Sequence, residues 1–246
     1  MIESFIINGE CIEEMSKLPN ESIDLILCDL PYGTTQCKWD SIIPFDKLWE
    51  QYERIIKPNA AIVLTASQPF TSNLIMSNIK LFRYSLVWEK SKSTGYLNSK
   101  KMPMRSHEDI LVFYKNLPTY NPQMVKGDPY DKGKAHRPTD VYREQKGEIH
   151  VKNDSGLRYP RSVQYFKTAE SEGKVYHPTQ KPISLMEWII KTYTNENDVV
   201  LDNCLGSGTT AIASIRTNRR YIGMELDKTY YDISVERVNN ELLKIS

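Results

Sequence analysis

Two short runs of this chain carry residue types that can do chemistry. The first is Asp29-Leu30-Pro31-Tyr32-Gly33, at the end of the apolar run Ile23–Cys28. A carboxylate and a backbone carbonyl can each accept one hydrogen of an amino group. That draws the nitrogen lone pair out of conjugation with a ring and toward a tetrahedral geometry. Asp29 and the Leu30 carbonyl suit these roles, Pro31 stiffens the turn, and Tyr32 offers a face on which a planar base can stack.

The second run is Asp202-Asn203-Cys204-Leu205-Gly206-Ser207-Gly208-Thr209-Thr210, between the apolar Asp198–Asp202 and the helical Ala211–Ile215. A Gly-x-Gly turn between strand and helix lets a ligand approach the backbone and brings helix N–H groups beside it. Glu225 follows Gly206 by 19 residues, at the end of the next strand. A carboxylate there can accept the hydroxyl hydrogens of a ribose. The third glycine of the dinucleotide fingerprint is missing, which argues against a pyrophosphate ligand and for a smaller adenosyl compound. On the glycines alone, a tight turn explains the motif equally well. Lys181, before Pro182 at a helix start, could hold a carboxylate.

Both runs need a scaffold that brings strand ends together. Short β-rich runs recur at Phe5–Asn8, Ile23–Cys28, Ala61–Thr65, Tyr84–Trp88, Ile110–Tyr114, Asp198–Asp202 and Tyr221–Met224. Several are continuously apolar, as expected of strands covered on both faces. Helical stripes lie between them: Phe45, Leu48, Trp49, Tyr52, Ile55 and Ile56; Ile183, Met186, Ile190 and Tyr193; and Tyr231, Val235, Val238 and Leu242. This alternation predicts an α/β fold with a doubly wound, mainly parallel sheet. The rhythm breaks over residues 115–176, which are rich in Pro, Gly, Tyr, Lys and Arg and read as a small inserted lobe.

The chain has 246 residues and a net charge of +1, which divides unevenly. Residues 80–176 hold 19 Lys/Arg against 11 Asp/Glu, a net of +8, and the remainder nets −7. A positive middle in an acidic frame suits a polyanionic partner, and equally a solvated insert. Lys90, Lys92, Lys100, Lys101 and Arg105, with Gly95 and Tyr96 among them, are candidates to bind phosphates. In the lobe, Arg137, Arg143, Arg158 and Arg161 are candidates to read guanines. The cysteines Cys11, Cys28, Cys37 and Cys204 form no C-x-x-C pair, which argues against a zinc site or disulfide framework and fits a reducing cytoplasm. Neither a signal peptide nor a membrane-spanning run is expected.

Asp29-Leu30-Pro31-Tyr32 resembles the Asp/Asn/Ser-Pro-Pro-aromatic motif of the amino-methylating DNA methyltransferases. Asp202–Thr210 resembles their D-P-F-x-G-S-G-T-T motif, and His177-Pro178-Thr179-Gln180-Lys181-Pro182 their H-x-T-Q-K-P segment. With the catalytic motif first and the cofactor motif last, the order is that of the family's β class.

The resemblance implies a seven-stranded Rossmann-like methyltransferase sheet with Ile110–Tyr114 antiparallel. It places a catalytic part at 1–117, a target-recognition insert at 118–176 and a cofactor-binding part at 177–246. It implies S-adenosylmethionine as cofactor and double-stranded DNA as partner, with no metal and no membrane. It is compatible with a homodimer and a cognate restriction enzyme.

Residue by residue, Asp29 would accept a hydrogen from the target amine and Tyr32 would stack on the flipped base. Asp202, Cys204, Gly206, Ser207, Gly208 and Thr209 would line the cofactor, with Glu225 on its ribose. Thr179, Gln180 and Lys181 would hold its methionine moiety. Leu30 departs from the family's first proline, tolerably if only its carbonyl acts; Asn203 and Cys204 replace Pro-Phe and remove an aromatic contact. Asp29 favours N6 of adenine over N4 of cytosine, where serine is commoner. Related enzymes act on RNA or a protein glutamine, but the basic lobe favours DNA. An inactive DNA-binding subunit would be expected to have lost the carboxylate or the glycine turn.

Overall fold

The computed structural model describes residues 3–33, 41–135 and 149–245; Cys37, Arg137 and Arg143 lie outside the described residues. In chain order the elements are β1 (Phe5–Asn8), α1 (Cys11–Ser16), β2 (Ile23–Asp29), α2 (Phe45–Ile55), β3 (Ile56–Ala66), α3 (Phe70–Ser77), β4 (Phe82–Thr94), β5 (Arg105–Phe113), β6 (Val125–Lys126), β7 (Tyr130–Ala135), β8 (Ile149–Asn153), β9 (Leu157–Arg158), β10 (Val163–Phe166), α4 (Ile183–Tyr193), β11 (Val199–Asp202), α5 (Thr209–Arg216), β12 (Arg220–Glu225) and α6 (Lys228–Ile245). The chain forms two compact units, Met1–Asn121 with Ser162–Ser246, and Pro122–Arg161. The smaller unit pairs β6 with β9 and β7 with β8, both antiparallel.

In the larger unit the sheet order is β1-β12-β11-β2-β3-β5-β4-β10. Neighbours pair in parallel except β5, which is antiparallel to both β3 and β4. The seven expected strands are present with Ile110–Phe113 running backward, and β10 adds an eighth at the edge. Of the expected 118–176 insert, 122–161 forms the separate unit and Val163–Phe166 joins this sheet.

The continuous apolar runs are explained by burial on both faces. In β2, Ile26 and Cys28 pack in one cluster with Met15, Leu48, Tyr52 and Leu74 from α1, α2 and α3. Leu25 and Leu27 enter the opposite cluster with Leu185, Met186, Ile189 and Tyr193 of α4. The period of two sends alternate residues to opposite layers. Among the described residues, no helix is long and apolar enough to cross a membrane.

The strand expected over Tyr84–Trp88 is longer and forms a ribbon. Glu89-Lys90-Ser91-Lys92-Ser93-Thr94 contains no Pro or Gly, so β4 runs on to Thr94 against a lengthened β5. Gly95, at φ 91°, then turns the chain into a short 3-10 turn at Tyr96–Asn98. The helices α1 and α3 have only 6 and 8 residues, too short to show a clear stripe.

The α2 stripe also supports the glycine turn. Tyr52 is fully buried, and its hydroxyl donates to Asn203 Oδ1 at 2.6 Å. Asn203 stands where the family carries proline, and Tyr52 satisfies its buried amide oxygen. Tyr52→Phe should destabilise the protein by about 1–3 kcal/mol, the cost of an unpaired buried acceptor. Urea denaturation measures this; an unchanged midpoint would show that the bond contributes nothing.

Candidate active site

The site residues stand at one edge of the sheet because parallel strands present their C-terminal ends together. Asp29 pairs with Thr65 across β2 and β3. Asp202 ends β11 and Glu225 ends β12, its neighbour. The antiparallel β5 brings the residues near its start, including Glu108, to the same edge, since Thr65 pairs with Ile110. The two halves of the sheet diverge between β2 and β11, and such a switch point is where open α/β sheets bind ligands.

Asp29 is held on both oxygens. Its Oδ1 accepts from the Thr65 hydroxyl at 2.5 Å and the Tyr32 hydroxyl at 2.7 Å. Its Oδ2 accepts from Lys181 Nζ at 2.5 Å. Lys181 is buried and also lies 3.3 Å from Glu108 Oε2, while Lys90 Nζ is 3.1 Å from Glu108 Oε1. Leu30 is buried beside Asp29 and Pro31 is partly exposed.

Tyr32 stacks on Phe70 with ring centres 5.0 Å apart. Burial and the nearby Asp29 carboxylate raise its phenol pKa well above the ordinary value, so its hydroxyl remains a donor. Lys181, expected at the methionine moiety of the cofactor, here faces the carboxylates of Asp29 and Glu108.

The glycine turn lies beside this cluster. Gly208 caps α5 at φ 88°, and a Cβ there would come within 3.1 Å of Ser234 Cβ, so conformation and space both require glycine. Glu225 Oε2 accepts from the Gly206 N–H at 2.7 Å and Oε1 from the Asp227 N–H at 2.8 Å. Each carboxylate oxygen retains a further acceptor site. Gln180 Oε1 accepts from the Ser207 hydroxyl at 3.1 Å and ties the 177–182 segment to the turn. Thr179 Oγ1 lies 3.0 Å from His177 Nδ1, and Thr209 is buried at the helix start. Arg237 of α6, which sequence reasoning missed, donates to the carbonyl and hydroxyl of Ser207.

Beneath the turn, Cys11, Cys28 and Cys204 come together in one buried cluster, although the three are scattered in sequence. Burial pushes the Cys28 thiol up to about 12, so it stays protonated and is no nucleophile. Among the described residues, no group of His, Cys, Asp and Glu is arranged to hold a metal.

The basic candidates separate. Lys92, Tyr96, Lys100, Lys101 and Arg105 are exposed on the β4–β5 ribbon. Lys90, expected with them, stands apart: its side chain is only 7% exposed and is paired with Glu108 of the neighbouring strand β5. Arg158 and Arg161 lie in the smaller unit, where Arg158 donates to the Asp128 carbonyl at 3.0 Å. Arg143 is outside the described residues. Thr65 and Glu108 went unnoticed because only the strand order places them at the site.

Asp202 generates a pH prediction. Burial pushes its carboxyl up to about 6, opposed by hydrogen bonds from Thr210, the Cys204 N–H and Cys28. The folded state therefore holds a proton that the unfolded chain releases near pH 4. Its contribution to stability is full below about pH 4 and falls as pH rises toward about 6. Asp202→Asn should flatten that decline and gain on the order of 3 kcal/mol at pH 7 relative to pH 4. Urea titrations of the two proteins at both pH values test this, and parallel pH profiles would refute it.

Residues 23–236 match the N6/N4 methyltransferase family model, described as DNA methylase. Type II methyltransferase M.HinfI of Haemophilus influenzae is 28% identical over 262 residues, covering 95% of this chain and 67% of that one. The DNA adenine methyltransferase YhdJ of Escherichia coli K12 is 28% identical over 251 residues, covering 95% and 82%. The structure of an M1.HpyAVI–SAM complex superposes with a TM-score of 0.63 at 22% identity, covering 97% of this chain and 100% of that one. With the family motifs gathered at the strand ends and the family model spanning most of its length, the chain belongs to the N6/N4 DNA methylase family.

Proposed function

We propose that this chain transfers a methyl group from S-adenosylmethionine to N6 of an adenine flipped out of double-stranded DNA. The observation that carries this reading is the Asp29 carboxylate at the end of β2, beside the strand that delivers the Gly206–Gly208 turn. The residues fit an adenosyl ligand. Gly206 and Gly208 hold positive φ and leave the backbone of the turn bare of side chains, and Glu225 keeps acceptor capacity for two ribose hydroxyls. Gln180 borders the same turn, and with Thr179 beside it would hold the methionine moiety. S-adenosylmethionine supplies, when bound, a methyl carried on a sulfonium and open to direct attack.

The chain's own residues supply the rest. Asp29 and the Leu30 carbonyl accept the two amine hydrogens and localise the lone pair on nitrogen. Tyr32 stacks on the base and offsets the few kcal/mol that unstacking costs. Asp29 in the first motif position supports adenine, as does the relative named an adenine methyltransferase. The inserted segment 118–176 would choose the target sequence, and exposed lysines of the β4–β5 ribbon would grip phosphates. A homodimer and a cognate restriction enzyme agree with this reading.

Asp29→Ala should abolish turnover while leaving cofactor affinity, read by titration calorimetry, unchanged. Mass spectrometry of digested DNA should show N6-methyladenine from the wild type. N4-methylcytosine alone would overturn the base assignment, and full activity in Asp29→Ala would overturn the chemistry.

Replacing Lys100 and Lys101 together with alanine should weaken binding to all duplexes alike. It should also reduce the slope of log affinity against log salt by up to about two. An unchanged slope would remove the ribbon from the DNA surface.

A further inference from the structure

Asp29, Lys181, Glu108 and Lys90 form a row of alternating charge at the strand ends. The lysine side chains are 6% and 7% exposed, so this is a buried network and not a solvated surface. One atom in it is unexplained. Glu108 Oε2 is buried and receives no hydrogen bond among the described residues, although Lys181 Nζ is 3.3 Å away. Buried carboxylate oxygens without a donor are uncommon and call for a reason.

Lys181 stands in the substrate's way twice. Its ammonium takes Asp29 Oδ2 at 2.5 Å, and it also lies 5.8 Å from the centre of the Tyr32 ring. A base that stacks on Tyr32 and hands its amine to Asp29 meets the lysine at both places. The attacking nitrogen also gains positive charge as its bond to the methyl forms, and an ammonium on the same carboxylate opposes that charge.

We propose that Glu108 is a positioning residue, which draws the Lys181 hydrogen bond from Asp29 Oδ2 to its own Oε2 when the target base enters. Lys90 on Oε1 holds the Glu108 carboxylate in place for the exchange, and the move of Lys181 leaves Asp29 to the amine. The role of Glu108 rests on Asp29 being the acceptor of that amine.

Two experiments test this. Glu108→Gln should lower kcat about tenfold or more, with little change in KM for DNA or in cofactor affinity. If Glu108 acts through Lys181, the loss should depend on that lysine: Glu108→Gln in a Lys181→Met background should cost no further activity. Additive losses, as from a general structural defect, would overturn the proposal, as would wild-type kcat in Glu108→Gln. Should Glu108→Gln not fold, the wild type still decides. A crystal structure with S-adenosylhomocysteine and a target duplex should place Lys181 Nζ nearer Glu108 Oε2 than Asp29 Oδ2, and the reverse order of distances would overturn the proposal. Full activity in Asp29→Ala would instead remove the reading of the site on which it rests.

Discussion

The parallel pairing of β2 with β11, Leu25 beside Val200 and Ile26 beside Leu201, joins two parts of the chain separated by the whole of the inserted lobe. Asp29 lies just beyond that seam on one strand and Asp202 on the other. The strand order turns outward on each side of it: β3 follows β2 in one direction and β12 follows β11 in the other. A crevice opens at such a divergence because the connecting segments leave toward opposite sides. The motif order along the chain therefore matters little to the chemistry. What matters is that the two motif-bearing strands are neighbours and parallel, so that both end at the same edge.

The seam also explains why the charges at that edge are paired. Asp29 and Lys181 come from opposite sides of the insert and meet at 2.5 Å. A single buried ion is expensive, and removing one member of a buried pair leaves the other uncompensated. Lys181 thus links the segment after the insert to the end of β2, while Gln180, next to it, holds Ser207 in the glycine turn. A segment of two residues thereby touches both motif-bearing strand ends, one by charge and the other by a neutral hydrogen bond.

Much of this was legible in the sequence, and the residues say why. β1 is found at its predicted bounds, and β2, β11 and β12 differ by a residue or so; the last three are covered on both faces and write uninterrupted apolar runs. The Asp29 and Gly206–Gly208 motifs were visible because turns at strand ends demand particular residues. The extension of β4 and β5 beyond their predicted bounds was not legible because their exposed ends are polar and carry no periodic signal. Thr65, Glu108 and the Cys11–Cys28–Cys204 cluster were invisible for another reason. Their neighbours are set by strand order and helix packing, which spacing along a chain does not encode. Lys90 shows the same limit: its type suggests a phosphate, and only its position on an inner strand of the edge turns it toward Glu108.

Apart from Glu108 Oε2, the polar groups of the site are engaged with one another. Asp29 holds three donors, Tyr32 lies on Phe70 and gives its hydroxyl to Asp29, and Glu225 accepts two backbone N–H groups. Polar groups left unpaired in a buried pocket would weaken the fold, so a protein that must stay folded between turnovers satisfies them internally. The consequence falls on substrate entry, where a base must displace contacts that already exist. Discrimination follows from that arrangement. A base presenting an exocyclic amine replaces the donor that Asp29 gives up, whereas a base with a carbonyl in that position leaves the carboxylate facing another acceptor. Buried polar groups left in that state are the strongest form of rejection a pocket can apply. On the proposed reading, the internal pairing of Asp29 is thus also what would select amino-bearing bases.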